Sequence, residues 1–328
     1  MPQPTRRQVH VDRPLSALSI ALMQDNSERV SDSFFPVVKV DKRSDTYYTY
    51  DTGELFRTDA EERAPGTPAV RRGWKISTDT YTCKRYDVAV PIDDETDENA
   101  DEVLNMYEDA VQVITQDLAI KRDVIWATKY FATGIWTTDD DGVASGPSGT
   151  QFLRFDASNS TPIEVIRSRL STVQALTGKR PNKMLVGRAV FEVLMDHSTI
   201  LDRLATTGLK VANAQTLAQI LDLEEVKVAD TLRNTAKEGQ TKSMSRVFGK
   251  HILLAYVPKA PGKKIASAGY TFSWKKFDKT IPGAGSLAAA VKRWRDENIE
   301  SDVIEGSMYF DHKVISADLG AFLENCIS

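Results

Sequence analysis

The chain holds little of what chemistry usually needs. It has two cysteines, Cys83 and Cys326, far apart and matching no metal-ligand spacing. Its four histidines, His10, His197, His251 and His312, are scattered and form no His-x-x-x-His pair. The glycine-rich nucleotide and phosphate loops, HExxH, CxxC and G-x-S-x-G are all missing. The chain is therefore expected to be no enzyme and to carry neither cofactor nor metal. Charge excess is missing too: 42 Lys and Arg against 46 Asp and Glu leave a net −4. That excludes a general attraction to nucleic acid or to an anionic membrane. No apolar run approaches the roughly 18 residues of a membrane span, so no membrane partner is expected. Nor does an apolar core follow Arg6-Arg7 as in a secretory signal, and a reducing compartment with both thiols free is the expectation. There is no internal repeat.

What is present is an aromatic first hundred residues without an amphipathic helix. They carry Phe34, Phe35, Tyr47, Tyr48, Tyr50, Phe56, Trp74, Tyr81 and Tyr86. Two runs, 46–50 and 74–82, have the β-branched and aromatic character of strands. In the second, Trp74, Ile76, Thr78 and Thr80 alternate with Lys75, Ser77 and Asp79, so one face is expected to pack. Between the runs, 59–73 is charged and punctuated by Pro65, Gly66, Pro68 and Gly73, a long loop. A two-stranded hairpin is marginal alone in water. Its aromatic strands must lie on something else, and another copy of the chain is the simplest partner.

Past residue 93 the pattern changes. Leu104, Tyr107, Val111, Ile114, Leu118 and Ile125 follow helical spacing. The acidic run 93–98 suits the positive end of a helix dipole, and Lys121, Arg122 and Lys129 suit the other end. The spacing predicts a helix over 97–133 stopped by Gly134, about 50 Å long at 1.5 Å per residue. Asp139–Asp141 with Gly142 reads as a turn, without the alternation of a calcium loop. Thr161, Pro162 and Glu164 make a capping box opening a helix that Gly178 closes. Strands are expected at 183–186, 225–229, 251–257, 302–310 and 313–317, and helices at 189–204 and 213–221. His197 falls at a helix end and His251 at a strand boundary, and neither is read as catalytic. Trp294, flanked by Lys292, Arg293 and Arg295, reads as an interface anchor, because Trp and Arg are enriched at contact hot spots. A chain of 328 residues exceeds what a single core usually supports, so an α+β plan of more than one substructure follows.

Several phrases, in order along the chain, resemble the major capsid family of siphophages and prophages. They are Phe35-Pro36-Val37-Val38-Lys39-Val40-Asp41-Lys42, Tyr47-Tyr48-Thr49-Tyr50-Asp51, Arg63-Ala64-Pro65-Gly66, Ile76-Ser77-Thr78-Asp79-Thr80-Tyr81 and Asp311-His312-Lys313-Val314-Ile315-Ser316-Ala317. The resemblance implies the capsid fold named for phage Hong Kong 97: N-terminal arm, extended β-hairpin loop, long spine helix, peripheral domain and axial domain. It assigns the arm to 1–36, the extended loop to 37–92 and the peripheral domain with its spine helix to 93–161. The axial domain would be 162–297, with 298–328 returning to the peripheral domain. It implies a homo-oligomer of hexamers and pentamers that forms an icosahedral shell in the host cytoplasm. That shell would enclose double-stranded DNA without reading its sequence, with a portal and a separate scaffolding protein as partners. Phe34, Phe35, Arg71, Arg72, Trp74 and Trp294 are the expected intersubunit contacts. Because 59–73 contains no lysine, no covalent chain-mail is expected. Because the arm begins near Met1, no fused scaffolding segment is expected. An encapsulin-like nanocompartment shell is the alternative within the fold, and a cytosolic enzyme with an unrecognised site is the alternative outside it.

Overall fold

The computed structural model describes residues 30–50, 56–63, 65–73, 76–98, 106–207, 213–262, 265–275 and 289–328. A short helix α1 (Ser31–Phe34) leads into β1 (Val37–Val40) and the hairpin strands β2 (Ser44–Tyr50) and β3 (Ile76–Thr82). Next come β4 (Lys84–Asp93), the single turn α2 (Asp94–Glu98) and the long α3 (Met106–Tyr130). Then follow β5 (Thr138–Val143), β6 (Gln151–Leu153), α4 (Pro162–Thr177), β7 (Lys183–Gly187), α5 (Arg188–Asp196), α6 (Ser198–Thr207), α7 (Ala214–Leu221) and β8 (Glu225–Ala229). The chain closes with β9 (Leu232–Asn234), β10 (Met244–Arg246), β11 (Ile252–Ala255), β12 (Gly269–Trp274), β13 (Ala289–Asp296), β14 (Ser301–Val314) and β15 (Gly320–Glu324).

Two larger sheets organise these elements. In the five-stranded one, β14 is the hub, pairing antiparallel with β4, β12 and β13, while β1 adds in parallel to β12. Helix α3 lies on this sheet because Ala110, Ile114 and Leu118, four residues apart, share one face. They meet Ile92, Ile304, Met308 and Phe310. Gly306 sits directly beneath Ile114, where a Cβ would have no room. The 25 described residues of α3 span about 37 Å. The part of the expected helix over 99–105 lies outside the described residues. At the far end the helix stops at Tyr130, ahead of Gly134, and Trp136 Nε1 donates to the Tyr130 carbonyl at 2.9 Å.

The six-stranded sheet runs β6-β5-β15-β11-β7-β8. Its central strands β7, β11 and β15 are covered on both faces. Met184, Val186, Ile252 and Leu254 face the helices α4 to α7, while Leu185, Leu253, Ala255 and Phe322 face the end of α3.

This layout corrects several expectations. Residues 138–143 form a strand, not a turn, because β15 supplies a parallel partner far along the chain. There the Asp140 carboxylate is buried and pairs with Arg169 at 2.5 Å. Sheet membership also ignores contiguous blocks. Strands β5 and β6, expected with the spine, and β15, expected with the tail, join the six-stranded sheet. Strands β12 and β13, expected in the block 162–297, join the five-stranded one. The helix expected at 189–204 breaks at His197, whose backbone is extended at ψ 128. The Thr161 side chain makes no cap bond, although Pro162 does open the helix and Gly178 closes it in the left-handed conformation at φ 68. The last expected strand, 313–317, gives way after Val314 to a 3-10 turn, and the next strand is β15. Arg122, expected only as a charge suited to the far end of the helix dipole, is 2% exposed.

Candidate interaction surface

Strands β2 and β3 pair from Ser44 with Thr82 to Tyr50 with Ile76. The inner end of this hairpin is anchored: Tyr81 stacks on Phe272 at 4.5 Å, and Tyr47 tilts onto the same ring at 5.4 Å. Tyr47 Oη donates to Asp79 at 2.7 Å, and the Thr82 amide donates to Asp311 at 3.0 Å. Away from this anchor the cover ends. Residues 76–80 of β3 are all exposed, so the expected packed face is open in the single chain. Tyr48 is 69% exposed and Ile76 44%. On the loop beyond, Phe56 and Val70 are exposed as well. Exposed apolar side chains that recur along the hairpin and its loop make this the candidate interaction surface.

The predicted contact residues divide. Phe34 and Phe35 are completely buried within their own chain, and this corrects their reading as intersubunit contacts. Phe35 meets Trp126 edge-on at 5.4 Å and Tyr130 at 5.0 Å, leaving no surface for a neighbour. Arg71 and Arg72 lie on the exposed loop. Trp74 lies outside the described residues. Trp294 is 45% exposed on strand β13. Its neighbours point away into ion pairs, Arg293 with Asp302 at 2.6 Å and Arg295 with Asp94 at 2.6 Å.

Sequence reasoning missed the joint between α1 and α3. The Asp123 carboxylate, fully buried, accepts from the amides of Val30 at 3.4 Å and Ser31 at 3.2 Å, and from Thr231 Oγ1 at 3.1 Å. Arg122 Nε donates to Ser31 Oγ at 2.9 Å, and its Nη2 pairs with Asp32 at 3.0 Å. Thr271 Oγ1 donates to the Phe35 carbonyl at 2.9 Å, so the 2.8 Å contact with His312 Nδ1 requires the proton on that nitrogen. A signal was available. Ile114, Leu118, Arg122, Trp126 and Tyr130 form one four-residue stripe, and a guanidinium inside an apolar stripe demands a buried partner.

Among the described residues, each histidine is held in its own local contacts. His197 bonds Ser160 and Thr199, and His251 Nδ1 accepts from the Asn325 amide. Burial lowers the pKa of His197, His251 and His312, the last to about 3, so all three stay neutral at pH 7. Both cysteines are free and buried, and burial pushes the Cys83 thiol up to about 12. Among the described residues, no group of three His, Cys, Asp or Glu side chains is arranged to hold a metal.

No protein-family model matches the chain. It is 24% identical over 245 residues to the major capsid protein of Burkholderia phage BcepMu, covering 73% of this chain and 75% of that one. It is 22% identical over 327 residues to the major capsid protein of Pseudomonas phage JBD67, covering 97% of each. Among solved structures, a phage-related protein from Bordetella bronchiseptica RB50 superposes with a TM-score of 0.67 at 17% identity, over 96% of this chain and 97% of that one. The capsid of cyanophage P-SCSP1u superposes with a TM-score of 0.59 at 12% identity, over 92% and 90%. The chain therefore has the capsid fold named for phage Hong Kong 97 and is a homologue of phage major capsid proteins.

Proposed function

We propose that this chain is the major capsid protein of a tailed phage, a structural subunit that assembles with copies of itself into the icosahedral head shell. One observation carries the reading within this fold: beyond its anchored end the β2–β3 hairpin is uncovered, with residues 76–80 exposed and Tyr48 and Ile76 in solvent. A second copy is the partner that would cover it. In an assembled shell each subunit would bury an area of the obligate class, on the order of 2,000–5,000 Å².

In this reading the five-stranded sheet with α3 as its spine is the peripheral domain, and the six-stranded sheet with α4 to α7 is the axial domain. The segment ahead of Val30 is the arm. Arg71, Arg72, Trp74 and Trp294 remain candidates for intersubunit contact. The subunit works without catalysis. Its shell is part of the virion, is assembled in the host cytoplasm as hexamers and pentamers with a separate scaffolding protein and a portal, and encloses double-stranded DNA without reading its sequence. With no lysine over 59–73, boiled particles should run as intact monomers on a denaturing gel.

Negative-stain electron microscopy of the chain expressed alone, and with its scaffold, tests the proposal. Large closed shells are expected. Small uniform shells would instead identify a nanocompartment, and tubes or rings a tail component. Monomers under every condition would overturn the reading.

A further inference from the structure

The extended loop is shaped from within. Arg72 Nη1 donates to the Arg57 carbonyl at 2.8 Å, and Arg72 Nε lies 3.4 Å from the Asp59 carboxylate. Asp59 also faces Arg57 Nε at 3.7 Å. These contacts cross from the returning limb of the loop to the outgoing limb. Side chains of Arg72 and Asp59 are 34% and 30% exposed, so the pair is partly shielded in an otherwise solvated segment. The adjacent Arg71 has the same chemistry but makes no ion pair or side-chain hydrogen bond among the described residues, and it is exposed. At the start of the outgoing limb, the Phe56 ring rests against Gly178 at the end of α4. A Cβ there would stand 2.9 Å from Phe56 Cζ. Gly178 is required by its left-handed φ of 68, whereas the exposed Phe56 ring could shift aside from a Cβ.

The magnitudes fit a device that biases shape and does not hold the fold together. An exposed ion pair is a weak contact, and a hydrogen bond from a charged donor adds to it. Together they shift a loop's populations several-fold and still let it rearrange when a neighbour arrives. A planar guanidinium serves both acceptors with a fixed fork, which an ammonium cannot do.

We propose that Arg72 is a positioning residue for assembly: it pins the two limbs of the loop through Arg57 and Asp59, so that the free subunit offers a preshaped finger to a second copy of the chain. The inference rests on the capsid reading above. It differs from the expectation that Arg72 itself touches the neighbour.

Hydrogen exchange of the unassembled chain, read by mass spectrometry, separates the two. Amides over 57–73 should exchange about three- to tenfold faster in Arg72→Ala and by a smaller factor in Asp59→Ala, which keeps the bond to the Arg57 carbonyl, with the double variant no faster than Arg72→Ala. Arg71→Ala should leave them unchanged, and amides elsewhere should not move in any variant. Shell growth followed by light scattering should slow in both variants, more in Arg72→Ala than in Asp59→Ala, with the double variant no slower than Arg72→Ala. Wild-type exchange in Arg72→Ala, an equal effect from Arg71→Ala, or additive slowing of assembly would overturn the proposal. Failure of the wild-type chain to form shells would count against the capsid reading instead, and the exchange result alone would still decide whether the clamp exists.

Discussion

Strand β11 in the six-stranded sheet is buried at every position, whereas six of the seven residues of β3 in the hairpin are exposed. Both are β-strands of similar propensity. They differ in what lies against them. β11 is sandwiched between two helical layers and two neighbouring strands, so its backbone and side chains are satisfied within the chain. The hairpin has one partner strand each way and one anchored end. One region stabilises the subunit, and in the proposed reading the other is the apolar surface that a second copy would cover. A protein that must first fold and then assemble needs both.

That contrast is sharpest under mutation. Phe322→Ala, in the buried sheet against Phe131 at 5.3 Å, should lose about 3–5 kcal/mol in urea unfolding. An effect below about 1 kcal/mol would mean that the six-stranded sheet is not the stabilising core. Asp123→Asn keeps the shape of the joint but strips the charge that three donors are built around. It should cost about 1–3 kcal/mol and expose the chain near Val30 to protease.

His312 offers a probe by pH. Burial places its folded-state pKa near 3, against about 6.5 unfolded, so the native chain binds this proton less readily. Its contribution is complete above pH about 6.5 and is lost as pH falls toward 3, with a slope of up to about 1.4 kcal/mol per unit. His312→Asn keeps an N–H toward Thr271 and cannot titrate. Its stability should therefore fall less steeply than wild type between pH 6.5 and 4, and parallel curves would refute the assignment. The smallest stability effect belongs to the hairpin. Tyr48→Ala should leave the free chain within about 0.5 kcal/mol of wild type yet impair shell formation. Loss of stability without loss of assembly would invert the comparison.

Much of the fold could be read locally. Pro162 and Gly178 bracket α4 because one is compatible only with a helix's first turn and the other with a left-handed stop. Strand β8 falls at 225–229 as the apolar run indicates, and the two hairpin strands pair across their loop. The misreadings share a cause. Asp139, Asp140 and Asp141 have poor strand propensity, and only β15 and Arg169 make an extended conformation worthwhile there. Phe34 and Phe35 carry the aromatic character of a contact site, and nothing local reveals that Trp126 and Tyr130 claim them. In the surface itself, the exposed hairpin was legible, while the Arg72 clamp was not, because its acceptors lie across a loop whose folding the local pattern leaves open.

The sequence by itself determined where the long helix and α4 lie, where α4 starts and stops, and where the hairpin and its loop lie. It did so because capping, periodicity and turn chemistry act over a few residues. Tertiary structure alone decided which strands share a sheet, that Arg122 and Asp123 are buried, and that Phe34 and Phe35 face inward while Tyr48 faces out. Those outcomes depend on contacts between residues far apart along the chain, whose free energy exists only once the chain has closed around them.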